Sequence, residues 1–172
     1  MQDKRRLSVG AEVGEVGTHF RVWAPAPREI LLIVGSGADA EQYPLALSEE
    51  GYATAHVQSA TAGSRYGYQV NGEGPFPDPC SRSQPDGVHA LSEVVDPEAF
   101  AWSDDGWSAP PYSEAVVYEC HMGTLTPQGT FDAAIGQLRR LKDLGFTALE
   151  ILPVAPTGRI FEEGYLPPNL TA

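Results

Sequence analysis

The sequence predicts a mainly β fold, an all-β sandwich followed by one incomplete strand, helix, strand unit. Three observations predict it. In the first half, short apolar pieces recur about every 10–14 residues, with Gly, Pro, Asn or Ser between them, as strands joined by tight turns do. From residue 115 onward a helical apolar period stands between two short apolar runs. Between the halves, Trp102 to Ser113 with Pro110-Pro111 is a Pro-, Trp- and Ser-containing stretch that reads as a linker.

The sandwich strands are read at Phe20 and Val22, Ile30 to Val34, Tyr52 to Val57, and Tyr66, Tyr68 and Val70. Asn71-Gly72 is a tight-turn signal, because both residues tolerate positive φ at low cost. The pairing that this turn implies is antiparallel. From Phe76 to Asp86 the prolines Pro77, Pro79 and Pro85, with Pro75 just before them, deny the chain a continuous hydrogen-bond ladder. That stretch is expected to be a rigid ordered loop or a linker.

In the second half Ala115 to Cys120 and Phe146 to Leu152 read as buried strands. Phe131, Ala134, Ile135, Leu138, Leu141 and Leu144 fall on one face of the helix between them. Thr130 can cap its start, Asp132 complements its positive end, and Gly145 sits where a C-terminal cap needs positive φ. A parallel pair needs further strands and covering layers that residues 115–172 do not supply, since an eightfold βα barrel takes about 250 residues. The expected organisation is a sandwich over 1–100, a linker over 101–114, a βαβ unit over 115–155 and an irregular tail over 156–172.

Composition narrows the function classes. The 172 residues suit a folded chain, 42% hydrophobic and 20% charged, and not a disordered or collagen-like one. Eleven Lys and Arg against 23 Asp and Glu give a net charge of −12, which repels phosphate backbones and anionic lipid, so neither nucleic acid nor membrane is an expected partner. Met1 to Arg6 leads into no apolar h-region, and no stretch approaches the roughly 18 apolar residues of a membrane span, so a cytoplasmic location is expected. Cys80 and Cys120 lack metal or redox spacing and read as free thiols.

Gly35-Ser-Gly37-Ala-Asp-Ala40 has the form of a dinucleotide fingerprint after an apolar run. Glu41-Gln42-Tyr43-Pro44 then places proline where the required helix would start, so a sandwich loop is the better reading. The paired acids Glu49-Glu50, Asp104-Asp105 and Glu162-Glu163 are neighbours in sequence, whereas glycosidic chemistry needs two carboxyls facing one another; they read as solvated surface. His19, His56, His89 and His121 show no ligand spacing, so neither a metal nor another cofactor is expected. Asn169-Leu170-Thr171 matches a glycosylation acceptor by coincidence. Trp23, Trp102, Trp107, Tyr66 and Tyr68 are an aromatic set able to offer sugar rings an apolar platform, although most are expected in the core.

Three passages carry a family resemblance: Phe20-Arg-Val-Trp-Ala-Pro25, Pro77-Asp-Pro-Cys-Ser-Arg-Ser-Gln-Pro-Asp-Gly-Val-His89 and Val117-Tyr-Glu-Cys-His-Met-Gly-Thr-Leu-Thr-Pro-Gln-Gly-Thr-Phe131. Together they resemble the N-terminal part of the maltooligosyltrehalose trehalohydrolases, relatives of the glycogen branching and debranching enzymes in the α-amylase superfamily. The resemblance implies an immunoglobulin-like, starch-binding-type β-sandwich followed by the βαβ start of a (β/α)8 barrel. It also implies, for the full enzymes, hydrolysis of the α-1,4 bond that releases trehalose from maltooligosyl trehalose, by an Asp nucleophile, a Glu acid/base and a supporting Asp on later barrel strands. Likeness runs through Pro153-Val154-Ala155, after which the family's Trp-Gly-Tyr-Asp motif has only Glu163-Gly164-Tyr165-Leu166 to match it. No catalytic residue is therefore assigned in this chain, which is expected to be inactive alone. The competing readings are a non-catalytic module that binds α-glucan or maltooligosaccharide, with no substrate-binding residue named, or that docks on another barrel through the exposed apolar face of its βαβ unit, and a product made unstable by the open strands Ala115 to Cys120 and Phe146 to Leu152.

Overall fold

The computed structural model describes residues 5–26, 28–152 and 154. They fall into two compact units, Met1–Ala101 and Trp102–Ala172. The expected tail over 156–172, with Glu162-Glu163, Tyr165 and Asn169-Leu170-Thr171, lies outside the described residues.

The first unit contains β1 (Gly10–Val13), β2 (Thr18–Trp23), β3 (Ile30–Val34), β4 (Glu41–Pro44), β5 (Ala46–Leu47), β6 (Tyr52–Val57), β7 (Arg65–Val70), β8 (Glu73–Phe76) and β9 (Ser92–Glu93). One sheet has the order β1-β2-β6-β5; the other has the order β4-β3-β7-β8, with β9 also on β7. All of these pairings are antiparallel. Residues two apart share a face of a strand, so Phe20 and Val22 of β2 and Ala53 of β6 point inward from one sheet. Ile30 and Leu32 of β3 and Tyr66 and Tyr68 of β7 join them in one core cluster from the other. Phe20 meets Tyr66 edge-on with 4.9 Å between ring centroids. Each such large side chain contributes about 1.5–3 kcal/mol by leaving water.

The four strands read from the sequence are β2, β3, β6 and β7, which carry this core. Strands β4, β5 and β8 have almost wholly exposed residues and hence no inward alternation to betray them. Asn71 at φ 51° and Gly72 at φ 85° make the turn between β7 and β8. The Asn71 side-chain oxygen also accepts the amides of Arg28 and Glu29, at 3.0 and 3.3 Å. Pro75 lies inside β8, beside an irregularity in its pairing with β7, where an edge strand tolerates a missing donor. After β3 the chain makes a 3-10 turn at Gly37–Asp39 and returns as β4, so no helix follows the glycine motif.

The proline-rich stretch is an ordered loop pinned to both sheets. Tyr66 and the Cys80 amide donate to the Asp78 carboxylate, each at 2.8 Å, and the Asp78 amide donates to the Ser92 hydroxyl at 2.9 Å. Arg82 reaches the carbonyl of Ala11 on β1 at 2.7 Å.

The second unit contains β10 (Val117–His121), the short helix α1 (Met122–Leu125), α2 (Phe131–Asp143) and β11 (Ala148–Leu152). Strands β10 and β11 are parallel, with Val117 opposite Ala148 and His121 opposite Leu152. Thr130 accepts the Ala133 amide at 3.3 Å to cap α2, and Gly145 has φ 96° just after it. The expectation that both strands are buried needs correction: Val116 and Val117 are exposed, and only Cys120 of β10 is buried. A parallel pair is covered only when layers lie on both faces, and one helix supplies at most one. The α2 stripe is equally open, with Ile135 63% and Leu144 65% exposed and Ala134 its sole buried residue. Among the described residues no helix is long and apolar enough to cross a membrane.

Candidate functional site

The most differentiated surface of the first unit is the outer face of β2 and β6. Because Phe20 and Val22 point inward, His19, Arg21 and Trp23 point outward. On β6 the outward set is Tyr52, Thr54 and His56. The register places Trp23 opposite Tyr52, Arg21 opposite Thr54 and His19 opposite His56. The imidazoles stack at 4.1 Å with 20° between their planes, and His56 Nε2 donates to the Val16 carbonyl at 2.6 Å. The Arg21 guanidinium carbon lies 3.9 Å from the centre of the Tyr52 ring. Trp23 ends the row and is 60% exposed.

The histidine end of this face is closed by the segment that precedes β1. Glu12, opposite His19, accepts the amides of Arg6 and Leu7 at 2.8 and 3.0 Å. Arg5 donates to the carbonyls of His19 and Gly10, both at 2.8 Å. Burial works to raise the Glu12 carboxyl, but the two amides and the Arg5 charge outweigh it and hold the group below its ordinary value. Burial lowers Arg5 in turn, against the opposing pull of Glu12. A hollow of about 360 Å³ lies here between Arg5, Arg6, Glu12, His19 and Glu98, whose two guanidinium groups are already paired with Glu12 and Glu98, and Glu15 and Asp96 also line it.

The aromatic set named from the sequence divides. Tyr66 and Tyr68 are core residues, whereas Trp23, Trp102 and Trp107 are 60%, 70% and 69% exposed. Trp102 and Trp107 belong to a stretch without strand or helix. Glu49-Glu50 and Asp104-Asp105 are exposed. Of the histidines, His19 and His56 meet, while His121 caps α1 by accepting the Gly123 amide on Nδ1 at 3.1 Å. Among the described residues no three His, Cys, Asp or Glu gather as a metal site would need. Cys80 and Cys120 are free thiols, both pushed up by burial. Tyr52 and Arg21 were missed as surface partners. Their signal was the alternate set Tyr52, Thr54, His56 against His19, Arg21, Trp23, which acquires meaning only through the strand register.

In the second unit the strand ends nearest chemistry are His121 and Leu152, since sites on parallel βα folds form at C-terminal strand ends. Glu119 and Glu150 face one another in register, but in the middle of the strands. A mainly apolar hollow of about 510 Å³ is lined by Tyr118, Leu138, Leu141, Phe146 and Leu149.

Known proteins supply the context for these features. No protein-family profile matches the chain. The malto-oligosyltrehalose trehalohydrolase of Arthrobacter ramosus is 46% identical over 138 residues, covering 78% of this chain and 24% of its own. That of Saccharolobus solfataricus is 38% identical, covering 87% and 26%. Among solved structures, an α-amylase candidate from Salmonella typhimurium superposes with a TM-score of 0.81 at 37% identity, over 88% of this chain and 26% of that one. A pullulanase from Paenibacillus barengoltzii, also crystallised with maltohexaose and α-cyclodextrin, shares the fold at a TM-score of 0.70 and 23% identity, over 85% and 27%. The chain spans about a quarter of the length of the curated relatives it matches. With its β-sandwich, its parallel βαβ unit and these likenesses, the chain is the counterpart in sequence of the N-terminal part of the malto-oligosyltrehalose trehalohydrolases, and its structural likeness is to the α-amylase superfamily.

Proposed function

We propose that this chain supplies the N-terminal part of an enzyme that cleaves the α-1,4 bond beside the terminal trehalose unit of maltooligosyl trehalose. On this reading residues 1–100 are a starch-binding-type sandwich, 101–114 a linker and 115–155 the opening βαβ unit of a (β/α)8 barrel. The observation that carries it is the identity of 38–46% to two trehalohydrolases over most of the chain. The parallel strands β10 and β11 joined through α2 agree with a barrel start. Retaining glycosidases work with two carboxyls about 5–5.5 Å apart, one as nucleophile and one as acid/base. Neither is assigned here, so the chain is hydrolytically inactive alone. Cytoplasmic residence is part of the same proposal.

The test is a graft. Incubated with maltooligosyl trehalose, the purified chain releases no trehalose; a chimera carrying residues 5–152 in place of the matching segment of the Arthrobacter ramosus enzyme releases it. Trehalose from the chain alone, or a folded but inactive chimera, overturns the reading. A second reading, a non-catalytic α-glucan-binding module, is favoured by the exposed indoles of Trp23, Trp102 and Trp107. Saturable binding of maltoheptaose supports it, and a flat titration at millimolar sugar removes it.

A further inference from the structure

We propose that Trp23 and Tyr52, together with Arg21, form a contact site for one α-1,4-glucan chain on the outer face of β2 and β6. This rests on the glucan-binding reading above and adds where the sugar lies and which groups hold it.

The indole is the first argument. Trp23 is 60% exposed, yet its surroundings are tight. The Ala24 amide donates to the Gly51 carbonyl at 2.7 Å, joining the end of β2 to the turn before β6. A Cβ on Gly51 would lie 2.8 Å from the Pro25 Cβ and 3.4 Å from Trp23 Nε1, so the bare glycine lets the indole edge close over that turn. A large aromatic surface is thus held in place before any ligand arrives, which lowers the ordering cost of binding. Pyranose rings present C–H faces that pack on such a surface.

Arg21 is the second. Its guanidinium lies on the Tyr52 ring, and it forms no ion pair among the described residues. In a chain with 23 acidic residues, a cation left without a carboxylate beside an exposed aromatic row keeps its terminal N–H groups as spare donors. The residues in register with Arg21 are Gly10 on β1, Thr54 on β6 and, beyond it, Ala46 on β5, all uncharged. Hydroxyl groups of a neutral sugar supply the acceptors, whereas the net charge of −12 disfavours a polyanion. Neighbouring strands lie about 4.8 Å apart, so a ligand crossing from β2 to β6 passes from Trp23 to Tyr52 without leaving the face.

The experiment is a maltoheptaose titration of the full chain followed by ¹H–¹⁵N spectra, with W23A, W23F, Y52A and W107A run in parallel and each checked for folding by its thermal melt. The expected result is saturable movement of the Trp23 indole N–H and of the Tyr52 and Thr54 amides. W23A or Y52A should weaken binding about ten-fold, W23F less, and W107A not at all. Saturable shifts confined to Trp102 and Trp107, or undiminished affinity in folded W23A and Y52A, overturn this site and leave the glucan-binding reading standing. No shift anywhere at millimolar sugar overturns both. Should W23A and Y52A not fold, the wild-type shift map and W23F decide alone.

Discussion

The Tyr66 hydroxyl donates to Asp78 Oδ2 at 2.8 Å, joining a ring at the centre of the sandwich to the proline-rich loop. Asp78 is 3% exposed, and its other oxygen accepts the Cys80 amide. Removing the carboxylate leaves a buried hydroxyl and an amide without an acceptor. Asp78→Ala should therefore cost about 3 kcal/mol in denaturant unfolding, and Asp78→Asn, which keeps one oxygen, clearly less. Equal losses in the two variants would show that charge, and not hydrogen bonding, holds the loop.

Tyr66 and Tyr68 look alike in sequence and should respond differently to loss of the hydroxyl. Tyr68 is as buried as Tyr66 and its hydroxyl also faces the Asp78 carboxylate, but without the geometry of the Tyr66 hydrogen bond. Tyr68→Phe should leave stability within about 0.5 kcal/mol of wild type or raise it, while Tyr66→Phe should cost about 1–1.5 kcal/mol. The same unfolding curves check both.

Acid titration should separate Asp78 from Glu12, because their shifts have opposite signs. Burial is the main reason that the Asp78 carboxyl lies above its ordinary value of 3.8, even though the Cys80 amide and the Tyr66 and Tyr68 hydroxyls pull it down. The native state then holds this proton more tightly than the unfolded chain does, so stability falls as pH rises from 3.8 through the raised native value. Glu12 lies below its ordinary 4.5, so its contribution is present above 4.5 and is lost as pH falls through the native value. Stability measured against pH should lose part of its acid-side decline in Glu12→Gln. In Asp78→Asn it should lose the opposing component, making the remaining decline steeper.

Gly17 is a close-approach glycine. It has φ 71°, and a Cβ there would lie 2.3 Å from the Val57 carbonyl oxygen and 2.5 Å from the Gln58 Cα. Both obstacles are backbone, so relief requires β2 and β6 to part beside the buried Thr18, whose hydroxyl donates to the Ala60 carbonyl at 2.7 Å. Gly17→Ala should cost about 3 kcal/mol or more in thermal unfolding. Gly63 has a similar φ of 84° with nothing within 4 Å, so Gly63→Ala should cost only the conformational strain of about 1–2 kcal/mol.

The sequence revealed whatever had a period or a cap. Phe20 with Val22 and Tyr66 with Tyr68 mark core strands because every second residue is apolar, and Thr130 with Gly145 brackets α2 because helix ends demand particular residues. Strands β4 and β5 escaped because an exposed edge strand has no inward face. The outer face of β2 and β6 escaped for another reason. Trp23 and Tyr52 stand 29 positions apart, and only the register of two antiparallel strands sets them opposite one another. The burial of Asp78 was equally hidden, since a carboxylate between two prolines reads as surface until Tyr66 and the Cys80 amide are seen to enclose it.

Helix α2 offers the last prediction. Its apolar stripe is largely exposed, so packing contributes little to it and its ends count for more. At the N-terminus Thr130 accepts the Ala133 amide, and Asp132 complements the dipole in the first turn. Thr130→Ala should lower helix stability by about 1 kcal/mol, and Thr130→Asp, which can accept the same amide, should restore it. Hydrogen exchange reads this locally: amides from Ala134 to Asp143 should exchange roughly five-fold faster in Thr130→Ala, with Leu32 in the sandwich unchanged. A uniform acceleration over both regions would mean that the helix and the sandwich open together, and that the cap acts on the whole chain.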